Sequence, residues 1–233
     1  MKKNRKESTT ELVFIIDRSG SMMPMESDTI GGYNAMIKKQ KKQDGTCHVT
    51  TVFFNNQVDV IHNRIDLKKL RPLPASAFAA CGCTAMLDAV GSTIDRMINV
   101  QRYTEPAARA DKVLFVIITD GMENASHWYS WSRVREMIRK EKEEYGWEFL
   151  FLGANIDAQA VAGDMGIEED MAATFHCDTQ GMNLNFETMA ESVSRFRAGQ
   201  ADYAAPMQHI RDDFKARGPE HSKGDTTIRI RIK

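Results

Sequence analysis

Asp17, Ser19 and Ser21 stand at alternate positions in the run Asp17-Arg18-Ser19-Gly20-Ser21. At that spacing in a turn, three oxygen-bearing side chains can converge on one point, and Gly20 permits the tight backbone path. A second carboxylate closes the apolar run Ile117-Ile118-Thr119-Asp120-Gly121. A further hydroxyl, Thr84, stands just ahead of a helical stripe, in an N-cap-like place that would expose it. Adjacent carboxylates repel unless a cation sits between them. Hydroxyl and carboxylate oxygens are hard donors and favour Mg2+, with Mn2+ or Ca2+ as alternatives, over zinc. The chemistry these residues suggest is capture of a hard divalent ion.

For that to happen, the fold must bring distant segments to one rim. Leu12–Ile16, Val49–Phe54, Val113–Ile118 and Phe149–Leu152 are mostly or wholly apolar runs, as strands buried on both faces of a parallel sheet are. Ala172–His176 is a weaker candidate for a last strand. Between the runs the period becomes helical: Ile30/Tyr33/Ile37, Met86/Val90/Ile94/Met97, Val134/Met137/Ile138/Tyr145 and Phe186/Met189/Val193/Phe196 each mark one face. A short helix fits Ala158–Met165, with Asp157 as N-cap and Gly166 past its end. Only Asn55-Asn56-Gln57 separates Phe54 from Val58–Ile61, too short for a crossover helix, so this pair must be a hairpin. The expected fold is α/β: a doubly wound, mostly parallel six-stranded sheet with one antiparallel edge strand and helices on both faces. In such sheets ligands sit beyond the carboxyl ends of the strands, where strand order reverses. The first strand is the natural switch point, and it delivers Asp17 to that crevice.

With 233 residues the chain fits one domain, and its 42% hydrophobic and 27% charged content is ordinary for a soluble protein. A formal net charge of −1 gives no electrostatic case for nucleic acid or an anionic membrane. The basic start Met1–Lys6 is not followed by a long enough apolar stretch for a secretory signal, and no run approaches a membrane span. Four sparse cysteines do not read as a disulfide framework, which points to a reducing, cytoplasmic setting. Cys81 and Cys83 lack a matching second pair for zinc and read as reduced thiols in a small-residue loop.

The set Asp17-x-Ser19-x-Ser21, then Thr84, then Asp120-Gly121 resembles the metal-ion-dependent adhesion site of von Willebrand factor type A domains, and the strand and helix order is similar over roughly residues 8–198. The phrases around Asp17 and Asp120 look like those of stand-alone, intracellular bacterial and phage members. The domain is expected at 11–198: residues 1–10 are polar and read as a flexible N-terminus, and the helical pattern is lost in a polar C-terminal extension (199–233), whose alternating end, 226–233, suits a terminal strand. The resemblance implies that Ser19 and Ser21 ligate Mg2+ directly, Thr84 directly or through water, and Asp17 and Asp120 mainly through bridging waters. A protein partner would supply an Asp or Glu carboxylate, and Arg18, Met22, Gly121, Glu123, Asn124 and His127 would form the rim it meets. For the 123–128 stretch the plainer alternative is a loop capping the next helix. Family members serve in ATPase-containing complexes, but this chain lacks a G-x-x-x-x-G-K-[ST] loop of its own. A Mg2+-dependent hydrolase would need a nucleophile or base and a cationic clamp, for which only His127 and Arg18 stand nearby, each alone, so a binder rather than an enzyme is expected. A purely structural assembly subunit is the third reading.

Overall fold

The apolar runs are continuous because successive residues enter different layers. Val13, Ile15, Phe115, Ile117, Phe149 and Phe151 belong to one core, and Leu12, Phe14, Ile16, Leu114, Val116, Ile118, Leu150 and Leu152 to the other. Burying each such side chain contributes about 2 kcal/mol, and among the buried polar exceptions within strands, Glu11, Thr50 and Thr51 each have a hydrogen-bond partner. These positions come from a computed structural model describing residues 8–218.

The strands are β1 (Thr9–Asp17), β2 (Thr46–Phe54), β3 (Val58–Asp66), β4 (Lys112–Thr119), β5 (Glu148–Ala154) and β6 (Ala172–Phe175). Helices α1 (Glu26–Gln40), α2 (Met86–Tyr103), α3 (Trp131–Tyr145), α4 (Ala158–Asp164), α5 (Thr179–Ala198) and α6 (Met207–Arg217) connect and follow them. Strand order is β3-β2-β1-β4-β5-β6. All pairings are parallel except β2–β3, the hairpin turned by Asn55-Asn56-Gln57. α1, α5 and α6 contribute to one core, and α2, α3 and α4 to the other. β1 lies between β2 and β4, at the reversal of strand order. The register Ile16 to Ile118 puts the ends of β1 and β4 side by side. Among the described residues no helix is long and apolar enough to cross a membrane.

Several expectations are corrected. Thr9 and Thr10 are not frayed: they pair with Thr46 and Cys47, and Thr10 is buried. Tyr145 leaves the α3 stripe and is exposed, while Glu141, one turn after Ile138, is buried instead. The boundary at 198 cuts through a packed unit, since Tyr203, Ala204, Met207 and Ile210 belong to the same core as α1 and α5. His176 stacks on Phe214 of α6 at 4.7 Å between ring centres. The suggested strand at 226–233 lies outside the described residues.

Candidate metal centre

β1 ends at Asp17 and the chain turns at once. The Ser19 N–H donates to Asp17 Oδ1 (2.7 Å), the Gly20 N–H donates to Gly82 O (3.0 Å), and the Arg18 carbonyl accepts the Cys81 N–H (3.0 Å). A short 3-10 segment, Gly20–Met25, then leads into α1. The serine hydroxyls stand 3.1 Å apart, and Ser21 Oγ donates to Asp120 Oδ1 at 2.6 Å. Thr119, at the end of β4, donates its hydroxyl to Asp17 Oδ2 at 2.6 Å. Thr84 arrives from the loop before α2: a Cβ built on Gly121 would lie 3.7 Å from Thr84 Oγ1 and 3.9 Å from Ser21 Oγ. All five oxygen-bearing residues singled out by their spacing therefore meet, and the absent side chain of Gly121 leaves space between the hydroxyls.

The electrostatics are those of a pair short of positive charge. Burial, helped by the nearby Asp17 and opposed by the Ser21 hydrogen bond, holds the Asp120 carboxyl up at about 6. Burial also raises the Asp17 carboxyl above its ordinary value, against hydrogen bonds from Thr119 and Ser19. Arg18, adjacent in sequence, is turned away and paired with Asp59. Among the described residues no three His, Cys, Asp or Glu side chains are placed to hold a metal. A cation here would rest on two carboxylates and three hydroxyls, a hard-oxygen set that suits Mg2+, Mn2+ or Ca2+. The residues present fit such an ion, because both carboxyls are disfavoured as anions without one.

The expected rim is rearranged. Met22 is fully buried in the core and is no rim residue. Exposed methionines do occur nearby in sequence, at Met23 and Met122. Glu123 accepts from the N–H groups of Leu87 (2.8 Å), Ala125 (2.9 Å) and Ser126 (2.8 Å), and from Ser126 Oγ (2.7 Å). Asn124 Oδ1 accepts the Thr84 N–H at 2.9 Å, and the Asn124 N–H returns a bond to Thr84 O at 3.0 Å. In return Asp88 of α2 accepts the N–H groups of His127 (2.8 Å), Trp128 (2.9 Å) and Tyr129 (2.8 Å). The loop after β4 therefore caps the preceding helix, α2, while α3 is capped by Ser130. Thr84 is itself buried and is not the cap of α2, a position held by Ala85 without a side-chain bond. His127 and Trp128 are exposed, and Gly121 lies at the site.

Reading by motif missed four residues: Thr119, Asp88, Asn155, whose Nδ2 donates to Asp120 O (3.2 Å), and Cys177, whose thiol donates to Asp120 Oδ2 (3.9 Å). Each closes or follows the carboxyl end of a strand, or opens a helix there, and that placement is the signal that marks them.

No family model matches the chain, and no curated protein does. Solved structures do. A von Willebrand factor type A protein from Catenulispora acidiphila superposes with TM-score 0.56 at 16% identity, covering 80% of this chain and 43% of that one. The vWF domain of the type V pili tip protein Mfa5 from Porphyromonas gingivalis gives TM-score 0.55 at 10% identity, covering 80% of this chain and 95% of that one. Proximal thread matrix protein 1 from the mussel byssus, with a zinc-occupied MIDAS motif, gives TM-score 0.51 at 15% identity, covering 79% and 45%. The chain thus spans less than half the length of two of these three neighbours. The fold is that of von Willebrand factor type A domains, a six-stranded α/β sheet with one antiparallel edge.

Proposed function

We propose that this chain is a divalent-metal-dependent protein-binding module, with Mg2+ as its ion and a partner's Asp or Glu as its ligand. One observation carries the reading: Asp17, Ser19, Ser21, Thr84 and Asp120 meet at the switch point of the sheet, with two carboxyls raised by burial and no Lys or Arg paired to either among the described residues. A bound cation supplies an electron-poor coordination position that an anionic oxygen completes. The chain's own residues do the rest. Asp17 holds the Ser19 turn, Thr119 orients Asp17, Ser21 ties that turn to Asp120, and Asn124 fixes Thr84.

That the domain binds rather than turns over substrate belongs to the proposal. It is supported by Arg18, the candidate cationic clamp, being engaged with Asp59. A cytoplasmic setting and a place in a larger, ATPase-containing assembly extend the same reading.

The test is calorimetric titration with Mg2+ and Mn2+, followed by binding of a fluorescent peptide with a single Glu, with and without chelator. Wild type should take up the ion, and should bind the peptide only when metal is present. Asp17→Ala should lose both and still melt cooperatively. Peptide binding that survives chelation, or in Asp17→Ala, would overturn the proposal.

A further inference from the structure

Cys81 and Cys83 are both free and both exposed, and they flank Gly82 in the loop that delivers Thr84. Four backbone groups of this loop are engaged. Cys81 N–H donates to Arg18 O (3.0 Å), Cys81 O accepts from Asn55 Nδ2 (3.0 Å), Gly82 O accepts from Gly20 N–H (3.0 Å), and Cys83 N–H donates to Asn56 Oδ1 (2.8 Å). Gly82 sits at φ +79° in a bend, with a Cβ there falling 2.2 Å from Asn56 Oδ1, so no other residue fits. Fully extended, residues two apart are separated by about 7 Å. A bend shortens that span into the roughly 4.4–6.8 Å between Cα atoms that a disulfide bridges. Asn55 Nδ2 also donates to Cys81 Sγ at 3.4 Å, which holds that sulfur against the hairpin turn. The other two thiols are differently placed: Cys47 is buried, and Cys177 is half-buried and bonded to Asp120.

We propose that Cys81 and Cys83 are a redox modification site, closed by a low-molecular-weight disulfide, and that closure weakens the metal centre. In the first step the Cys81 thiolate attacks the small disulfide, forming a mixed disulfide and releasing one thiolate. The Cys83 thiolate then attacks Cys81 Sγ, closing the ring and releasing the second. Two protons pass from the cysteines to the two released thiols, and two electrons pass from the protein to the oxidant. Ring closure imposes the disulfide's own torsions across Gly82. The change is felt through the Gly82–Gly20 hydrogen bond inside the Ser19/Ser21 turn, and through the peptide leading to Thr84. The effect on metal rests on the function proposed above, whereas ring closure does not.

The experiment incubates the whole chain with oxidised glutathione and reads intact mass, free thiols and Mg2+ affinity. Wild type should lose two hydrogen atoms and two reactive thiols, and bind Mg2+ roughly tenfold more weakly, as changes just outside a metal's ligands do. Cys81→Ser and Cys83→Ser, at exposed positions, should fold normally, fail to close, and keep their Mg2+ affinity. A persistent glutathione adduct on wild type, or closure that involves Cys47 or Cys177, would overturn the site. Closure with unchanged Mg2+ affinity would overturn the coupling. If the reduced chain takes up no Mg2+, the function proposed above fails, and mass and thiol count still decide the modification site.

Discussion

Asp88 and Glu123 lie at the same end of the sheet as Asp17 and Asp120, yet the chain surrounds the two pairs differently. Asp88 and Glu123 receive seven donors between them: three backbone N–H groups for the first, and three plus a hydroxyl for the second. Asp88 also opens α2, where the helix dipole favours a negative charge. Asp17 and Asp120 share fewer donors, lie close enough for Asp17 to act on Asp120, and are pushed toward their neutral forms by burial. The first pair is completed from within and works as a brace. The second is left short of positive charge, which is what the proposed metal centre requires.

That contrast can be broken most forcefully at Asp88. Asp88→Ala strands three N–H groups and should cost about 3 kcal/mol of stability in urea unfolding, with no recovery on adding Mg2+. Equal rescue by Mg2+ would mean that the two pairs form one unit.

Asp120 offers a sharper and smaller effect. Its folded carboxyl titrates near 6, above its ordinary 3.8. Such a group contributes stability that is full below the unfolded value and lost as pH rises through the folded one. Metal-free wild type should therefore gain on the order of 2 kcal/mol relative to Asp120→Asn as pH falls from 7 toward 4. Mg2+ should flatten that difference at neutral pH. Parallel pH profiles for the two proteins would refute it.

The smallest effect joins the two regions. Asn124→Ala removes the acceptor of the Thr84 N–H and should cost about 1 kcal/mol of stability. Mg2+ affinity should drop roughly tenfold, because Thr84 loses its anchor.

The sheet and the five-residue centre were legible because strand ends carry their chemistry in short local patterns. Asp17-x-Ser19-x-Ser21 and Asp120-Gly121 each follow an apolar run whose meaning is unambiguous. The braces were not legible, since Glu123 to Leu87 and Asp88 to Tyr129 join residues 36 to 41 positions apart through backbone groups that leave no mark in side-chain type. Met22 was misplaced because proximity to Ser21 says nothing of direction: the 3-10 turn rotates it inward. α6 was overlooked for another reason. Tyr203, Met207, Ile210 and Phe214 do keep helical spacing, but the charged run Arg211–Arg217 around the last of them masks the stripe.

α6 also changes how the sheet ends. β6 is short, and Arg211 of α6 occupies the carbonyl of Ala172 at 3.0 Å, so that margin is shielded. β3, nine residues long, forms the opposite margin and pairs only with β2 among the described strands. Among the described residues one margin is covered and one is available, which leaves β3 as the place for strand-to-strand growth there. Association by that route would join two copies through β3 and stop there, which guards against open-ended fibres.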